Sequence, residues 1–421
     1  MVDKKEVPVV SEELDCVIEA GKILMESGAE IYRIEDTMNY MAKSLQVGDF
    51  KAYVVNRGII ATGNDRSGDN EARVIAIPET SIHLGKIEAV NSLSRRVEDR
   101  EILSTQEIEL ELQRIAEMKK PRMWTTVLAY FIGAGCFSYA IGSTVLDSLS
   151  SAIVGLLMGL VLEWTGNFIN TKVLRTILGS AVVALAANLL CLCGFGQNRG
   201  LVILGALMVI VPGAVFTNSV REFSQNNHIT GLILLMSALL TCLSISCGVA
   251  LTVELLPFAE HRMGAFSLDV DSLWEVAART VMAGVGTIAF SFLFHAPKKY
   301  FPDLGVLGAI SWLLYLLLST RFHMEIAAVF VPALSAALLS KLLSVRRKCP
   351  ITIFLSTSIF PLLPGLSFYQ AVYFLITGTP GEAGTYILNC FNAAFAIALS
   401  IILVQELRLP SSKKHTTHIR S

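Results

Sequence analysis

The sequence predicts a multi-pass α-helical membrane protein. Ten transmembrane helices form two five-helix inverted repeats, preceded by a small cytoplasmic α+β domain. Three observations predict this. The first is the charge distribution. Of 421 residues, 53% are hydrophobic and 16% are charged, where a soluble chain of ordinary composition is about 25% charged. Residues 1–122 carry 17 Lys and Arg with 23 Asp and Glu, and the whole of the rest carries 17 and 12. The second is a series of apolar runs from Trp124 onward, several near the ~20 residues that a bilayer requires. The third is an internal repeat within those runs. Together they exclude a uniform soluble domain, a disordered chain and a secreted disulfide scaffold.

Residues 1–122 read as the cytoplasmic α+β domain. Leu14, Ile18, Gly21 and Met25 mark one face of a helix over 11–27, and Gly28 stops it. Ile31, Ile34, Met38, Met41 and Leu45 mark a second helix. Three β-rich runs follow, Phe50–Val55, Gly58–Thr62 and Ala72–Ile77, separated by turn-forming residues at 56–58 and 64–70. Leu84, Ile87, Val90, Ser94 and Val97 form the stripe of a third helix, and Ser104-x-x-Glu107 is a capping box for a fourth, running to about Lys119. No G-x-S-x-G, H-E-x-x-H or P-loop occurs, so no enzyme is expected. Residues 1–120 contain no long apolar run, so no signal peptide is expected.

The expected spans are 124–146, 149–164, 173–193, 200–222 and 229–256, then 276–296, 304–319, 325–344, 350–377 and 384–407. They define a first repeat at 123–257, an extracytoplasmic connection at 258–275, a second repeat at 276–410 and a tail at 411–421. With the N-terminal domain inside, the inner connections hold sixteen Lys and Arg and the outer ones four. That bias places both termini in the cytoplasm. Neither part is basic enough for nucleic-acid binding. The cysteines mostly sit in apolar runs, and Cys191-x-Cys193 has the wrong spacing for a zinc knuckle, so neither metal nor cofactor is expected.

At an offset of 153, Gly133 meets Gly286, Phe137 meets Phe290, Ser138 meets Ser291 and Gly155 meets Gly308. At 152, Pro212-Gly213 meets Pro364-Gly365, Phe216 meets Phe368 and Asn218 meets Gln370. Five spans per copy is an odd number, so two tandem copies enter the bilayer in opposite directions. Each Pro-Gly pair falls inside a span. Proline removes a donor and clashes with the preceding turn, and glycine lets the chain leave helical geometry. Such a break is tolerated where it is buried in protein or lines a cavity. It exposes one positive helix start and one negative helix end, which suit a carboxylate and an ammonium.

Pro212, Gly213, Thr217, Asn218, Pro364, Gly365, Tyr369 and Gln370 are therefore the candidate substrate residues, with Asn389 and Asn392 as further polar groups at membrane depth. The ligand chemistry is a small amino acid or organic acid. A proton-coupled carrier requires a titratable group in its path. Glu222, beyond Asn218 and beside Arg221, is the first candidate and Glu163 the second. Glu254 and Glu406 read as interfacial anchors. Gly155-x-x-x-Gly159 permits close helix packing within or between subunits, which leaves a homo-oligomer open.

The stretch Glu26-Ser27-Gly28-Ala29-Glu30-Ile31-Tyr32-Arg33-Ile34-Glu35-Asp36-Thr37-Met38, followed by a short β region, paired helices and two Pro-Gly spans, resembles the threonine/serine exporter family. The resemblance covers nearly the whole chain. It implies export of threonine and serine driven by the proton-motive force across a prokaryotic inner or plasma membrane. It also raises Gly28, Glu30, Arg33 and Glu35 from surface ion pairs to candidate functional residues of the cytoplasmic domain. Relatives linked to dicarboxylate export share these motifs, so a succinate-like cargo is the alternative. A membrane-tethered hydrolase using residues 1–122 is a more distant one.

Overall fold

The computed structural model describes residues 12–55, 57–64, 70–77, 80–99, 104–119, 121–224, 227–255, 270, 272–321, 325–362, 364–376 and 380–407. Most of the 258–275 connection, most of the turn at 64–70 and the tail at 411–421 lie outside the described residues. The chain divides into two compact units, one of Met1–Lys120 with Phe294–Pro297 and one of Pro121–Leu293 with Lys298–Ser421.

The first unit runs α1 (Glu12–Glu26), α2 (Ile31–Ser44), β1 (Gly48–Val55), β2 (Gly58–Asn64), β3 (Asn70–Ala76), α3 (Leu84–Glu98) and α4 (Thr105–Ala116). The strands form an antiparallel sheet in the order β1-β2-β3. Alternation sets the faces of β2: Ile59 and Ala61 are buried while Ile60 is exposed opposite Tyr53 and Val74. α1 buries Leu14, Val17, Ile18, Leu24 and Met25, and α2 buries Ile34, Met38 and Met41. Gly21 lets the two helices close up, since a Cβ there would collide with the Met38 side chain. Gly28 ends α1 in the left-handed region, φ +74°. The amide of Ala29 donates to Leu24 O and that of Gly28 to Met25 O, which satisfies the last carbonyls of α1. The capping box of α4 forms, with Glu107 N donating to Ser104 Oγ at 3.2 Å. α4 stops at Ala116, short of the expected Lys119.

The second unit runs α5 (Met123–Ala140), α6 (Val145–Thr165), α7 (Lys172–Leu192), α8 (Arg199–Leu207), α9 (Gly213–Ser224) and α10 (His228–Leu255). It continues with α11 (Leu273–Leu293), a 3-10 turn at Lys298–Tyr300, α12 (Phe301–Arg321), α13 (Glu325–Arg347), α14 (Ile351–Ser358), a second 3-10 turn at Phe360–Leu362, α15 (Gly365–Ile376) and α16 (Pro380–Glu406). α5 ends at Ala140 rather than near 146, because Gly142 takes φ +104° and Ser143 N bonds back to Ser138 O.

Seven helices among the described residues are long and apolar enough to cross a membrane. The pair Ile351–Leu362 and Ser367–Leu375, bent by 53°, makes an eighth if it is one span. Two expected spans are not among these. α5 carries Thr125, Thr126, Tyr130 and Tyr139, which lower its hydropathy. α8 and α9 are each short and are separated by five residues, and α9 carries Arg221 and Glu222.

The same pairings occur in both halves of this unit. α5 packs on α6 as α11 does on α12, α6 on α7 as α12 on α13, α7 on α10 as α13 on α16, and α9 on α10 as α15 on α16. Between the halves, α5 meets α11, α10 meets α15 and α9 meets α16. Residue contacts follow the sequence offset. Gly155 lies against Ala134, and Gly308 lies against Thr287. Gly133 faces Phe290 and Gly286 faces Phe137, while the two rings meet edge-on at 5.2 Å. α5 and α11 cross antiparallel: Cys136 Sγ is 3.8 Å from Met282 Sδ, whereas Gly133, earlier in α5, faces Ala289 and Phe290, later in α11.

Candidate functional site

Both Pro-Gly positions interrupt their helices. After Leu207 the chain leaves α8, passes through Met208–Pro212 and re-enters helix at Gly213. After Ser358 it makes the 3-10 turn and re-enters at Gly365. The restarts match: Phe216 N donates to Pro212 O at 3.0 Å and Phe368 N to Pro364 O at 2.9 Å. Pro212, Gly213 and Pro364 are buried, so the freed backbone groups lie inside protein, as a break at membrane depth demands.

The restarted helices meet. Phe216 stacks on Phe368 with centroids 4.7 Å apart, in a buried cluster with Ala238 and Cys242 of α10, Val372 of α15, and Cys390 and Ala394 of α16. Cys390 Sγ points at Pro364 O, 3.7 Å away. Ser219 Oγ donates to Gly231 O at 2.7 Å and ties α9 to α10. Thr217, Tyr369 and Gln370 are buried beside this cluster, and Asn218 is half-buried. The second break also touches the α5–α11 crossing, where Phe360 packs against Phe137 and Phe290.

Other candidates are not members of that cluster. Cys390, Ala394, Ile397 and Ile401 form the packed stripe of α16, and Asn389 and Asn392 fall on its exposed side with Leu388 and Phe395. Glu163 is half-buried near the end of α6. Glu222 is buried late in α9; its Oε2 accepts from Asn227 Nδ2 at 2.8 Å, and its Oε1 lies 3.8 Å from the buried Arg221 guanidinium.

In the first unit the four motif residues hold the α1–α2 corner. Gly28 supplies the turn, and a Cβ there would approach Ser81 O. The Glu30 backbone caps α2, and its carboxylate pairs with Arg33 at 3.1 Å. Glu35 Oε1 accepts from Val54 N at 3.2 Å and so anchors β1 to α2.

Two buried charged residues escaped the sequence reading. Asp147 is 1% exposed; Oδ1 accepts from Gln197 N at 2.7 Å and Asn198 N at 3.1 Å, and Oδ2 accepts from Thr144 Oγ1. Its signal was present as the capping box Thr144-x-x-Asp147, with Asp147 N donating to Thr144 Oγ1. Arg279 is buried against Glu275 one turn earlier on α11. Among the described residues no cluster of metal-ligating side chains occurs.

Comparison with known proteins agrees with this architecture. A family described as "Putative threonine/serine exporter" matches residues 15–256, and a second, "Threonine/Serine exporter, ThrE", matches 279–407. A "Probable threonine/serine exporter" of Mycobacterium tuberculosis is 20% identical over 417 residues, 94% of this chain and 76% of that protein. A "Pheromone-regulated membrane protein 10" of Kluyveromyces lactis is 22% identical over 256 residues, and the match covers 58% of this chain and 26% of that one. No solved structure matches. With family matches over both halves of its apolar region and several helices able to cross a bilayer, the chain belongs to the threonine/serine exporter family as a multi-span membrane protein.

Proposed function

We propose that the chain is a secondary exporter of small amino acids of the threonine/serine type, with substrate held between the two broken helices and export coupled to proton entry. The observation that carries this is the meeting of the two breaks, Phe216 on Phe368, each four residues past its proline. The starts of α9 and α15, as positive ends of helix dipoles, suit a substrate carboxylate, and the ends of α8 and α14, as negative ends, suit its ammonium. A zwitterion matches both.

The access cycle in this reading rests on ten spans in two inverted five-helix repeats. The matched pairings of the two halves and the antiparallel crossing of α5 and α11 support it. With the N-terminal unit and both termini in the cytoplasm, rocking of one repeat against the other exposes the site alternately to each side. Glu222 carries the proton: it is a buried carboxylate in the same helix as the first break, 3.8 Å from the Arg221 guanidinium.

Vesicles containing the full chain and an imposed pH gradient test the proposal. Labelled threonine or serine should accumulate against its concentration gradient, and collapse of the pH gradient should abolish this. Movement of succinate without either amino acid would replace the cargo. Movement of neither class would remove the transport reading.

A further inference from the structure

We infer that Thr217 and Tyr369 read the side-chain hydroxyl of a hydroxylated amino acid, an assignment that deepens the exporter reading and rests on it. Thr217 is 3% exposed and Tyr369 0%. Neither Thr217 Oγ1 nor Tyr369 Oη has a hydrogen-bond partner among the described residues. Several other buried hydroxyls in this unit return to a carbonyl one turn back, as Thr176 does to Lys172 O, Thr252 to Gly248 O, Thr287 to Ala283 O and Ser311 to Leu307 O. An unpaired buried hydroxyl costs stability and survives where something else rewards it.

Position singles out these two. They are equivalent residues at the 152 offset, one on each restarted helix, each one residue past the stacked phenylalanine. The hydroxyls of Ser246 and Thr280 are also without partners. Those two lie on the unbroken helices α10 and α11, and their repeat counterparts are Ala398 at the 152 offset and Val127 at the 153 offset, which carry no polar group. The cluster formed by their neighbours Phe216 and Phe368 with Val372, Cys242 and Cys390 is apolar, and the ring of Tyr373 lies 6.0 Å from that of Tyr369. Carboxylate and ammonium find partners at the helix ends, which leaves the substrate side chain for this region.

An alcohol both donates and accepts, as do a threonine and a tyrosine hydroxyl. Serine or threonine therefore completes both protein groups. Alanine or valine, of similar shape, leaves them unpaired, and a site built to bond a hydroxyl rejects the analogue that lacks it.

Vesicles with the full chain test this through the serine-to-alanine and threonine-to-valine ratios of flux over KM, for wild type, Tyr369→Phe and Thr217→Val. Wild type should favour the hydroxylated member of each pair by at least about tenfold. Each variant should cut that preference by about tenfold through a higher KM for serine and threonine, with alanine and valine unchanged. Melting in detergent should stay level or rise, because an unpaired polar atom is removed. An unchanged ratio in both variants overturns the assignment and leaves the exporter reading standing. An equal fall for hydroxylated and plain substrates, or loss of folded protein in both variants, marks a packing role and also overturns it. If wild type moves no amino acid, the exporter reading fails first.

Discussion

Phe216 and Phe368 stack with centroids 4.7 Å apart and planes inclined by 32°. An aromatic pair contributes about 0.5–1.5 kcal/mol beyond its burial, so the contact says more about register than about stability. Each ring is fixed by an amide that closes on the proline carbonyl of its own break. The two prolines thereby decide where each helix restarts. Pro212→Ala together with Pro364→Ala restores two donors and removes two clashes, which favours helix through the first break and shortens the second, where Pro361 remains. The double variant should insert normally and lose export by about tenfold, a change of ~1.4 kcal/mol in the barrier. Flux per inserted chain decides it, and wild-type rates would remove the broken-helix site.

The small residues at the helix crossings answer to distance. A Cβ on Gly155 would stand 2.9 Å from Tyr130 O and collide with Ala134 Cβ. Neither is the free end of a flexible side chain, so α5 and α6 would have to part. Gly155→Ala should cost about 1–3 kcal/mol by overpacking. At Gly133 the nearest atom is a ring carbon of Phe290 at 3.6 Å, ordinary contact distance. Gly133→Ala should therefore be tolerated. Thermal melting of both variants in detergent separates them, and equal melting temperatures would contradict the packing argument.

Much of this was legible in the sequence because periodicity and turn chemistry are local. The stripe Leu14, Ile18, Gly21 and Met25, the box Ser104-x-x-Glu107 and the Pro-Gly breaks each appear as read. The residues that match at offset 153, Gly133 with Gly286 and Phe137 with Phe290, pack across the two halves. Placement around a helix and reach across the fold were not legible. Asn389 and Asn392 look like any polar residue at membrane depth, but one residue along, Cys390 takes the packed side and they fall outside it. Glu35 and Asp147 do their work on backbone amides 19 and 50 residues away, which no local pattern reveals. Gly142 ended α5 early because a single positive φ outweighs an apolar run.

Glu222 accepts from Asn227 and sits beside Arg221, both within the α9–α10 corner. If it carries the coupled proton, Glu222→Gln keeps the shape and an oxygen for Asn227 but cannot cycle its charge. Export driven by an imposed pH gradient should fall to the level of vesicles without the protein. Exchange of labelled for unlabelled serine at equal concentrations, which needs no net proton movement, should persist. Both activities retained would take the proton away from Glu222 and leave Glu163 as the next residue to test.

His83 gives the first unit a pH dependence of definite sign. Its Nδ1 accepts from Lys86 N at 3.1 Å at the start of α3, and its ring stacks on His295 with centroids 4.6 Å apart. Burial first, then the nearby charges of His295 and Lys86, hold its pKa down to about 4, against an ordinary histidine near 6.5. As pH falls below about 6.5 the unfolded chain takes a proton on His83 while the folded chain refuses it, so protons favour unfolding. The stability that neutral His83 contributes above about 6.5 is lost progressively as pH falls through the folded value and declines no further below it. His83→Asn keeps an acceptor at the cap, since asparagine is among the strongest N-caps, and has nothing to protonate. Between pH 7.5 and pH 5 the wild-type melting temperature should drop further than that of His83→Asn. Parallel slopes would mean that His83 is free to protonate in the folded chain, and the stacked pair would then have no part in its acid sensitivity.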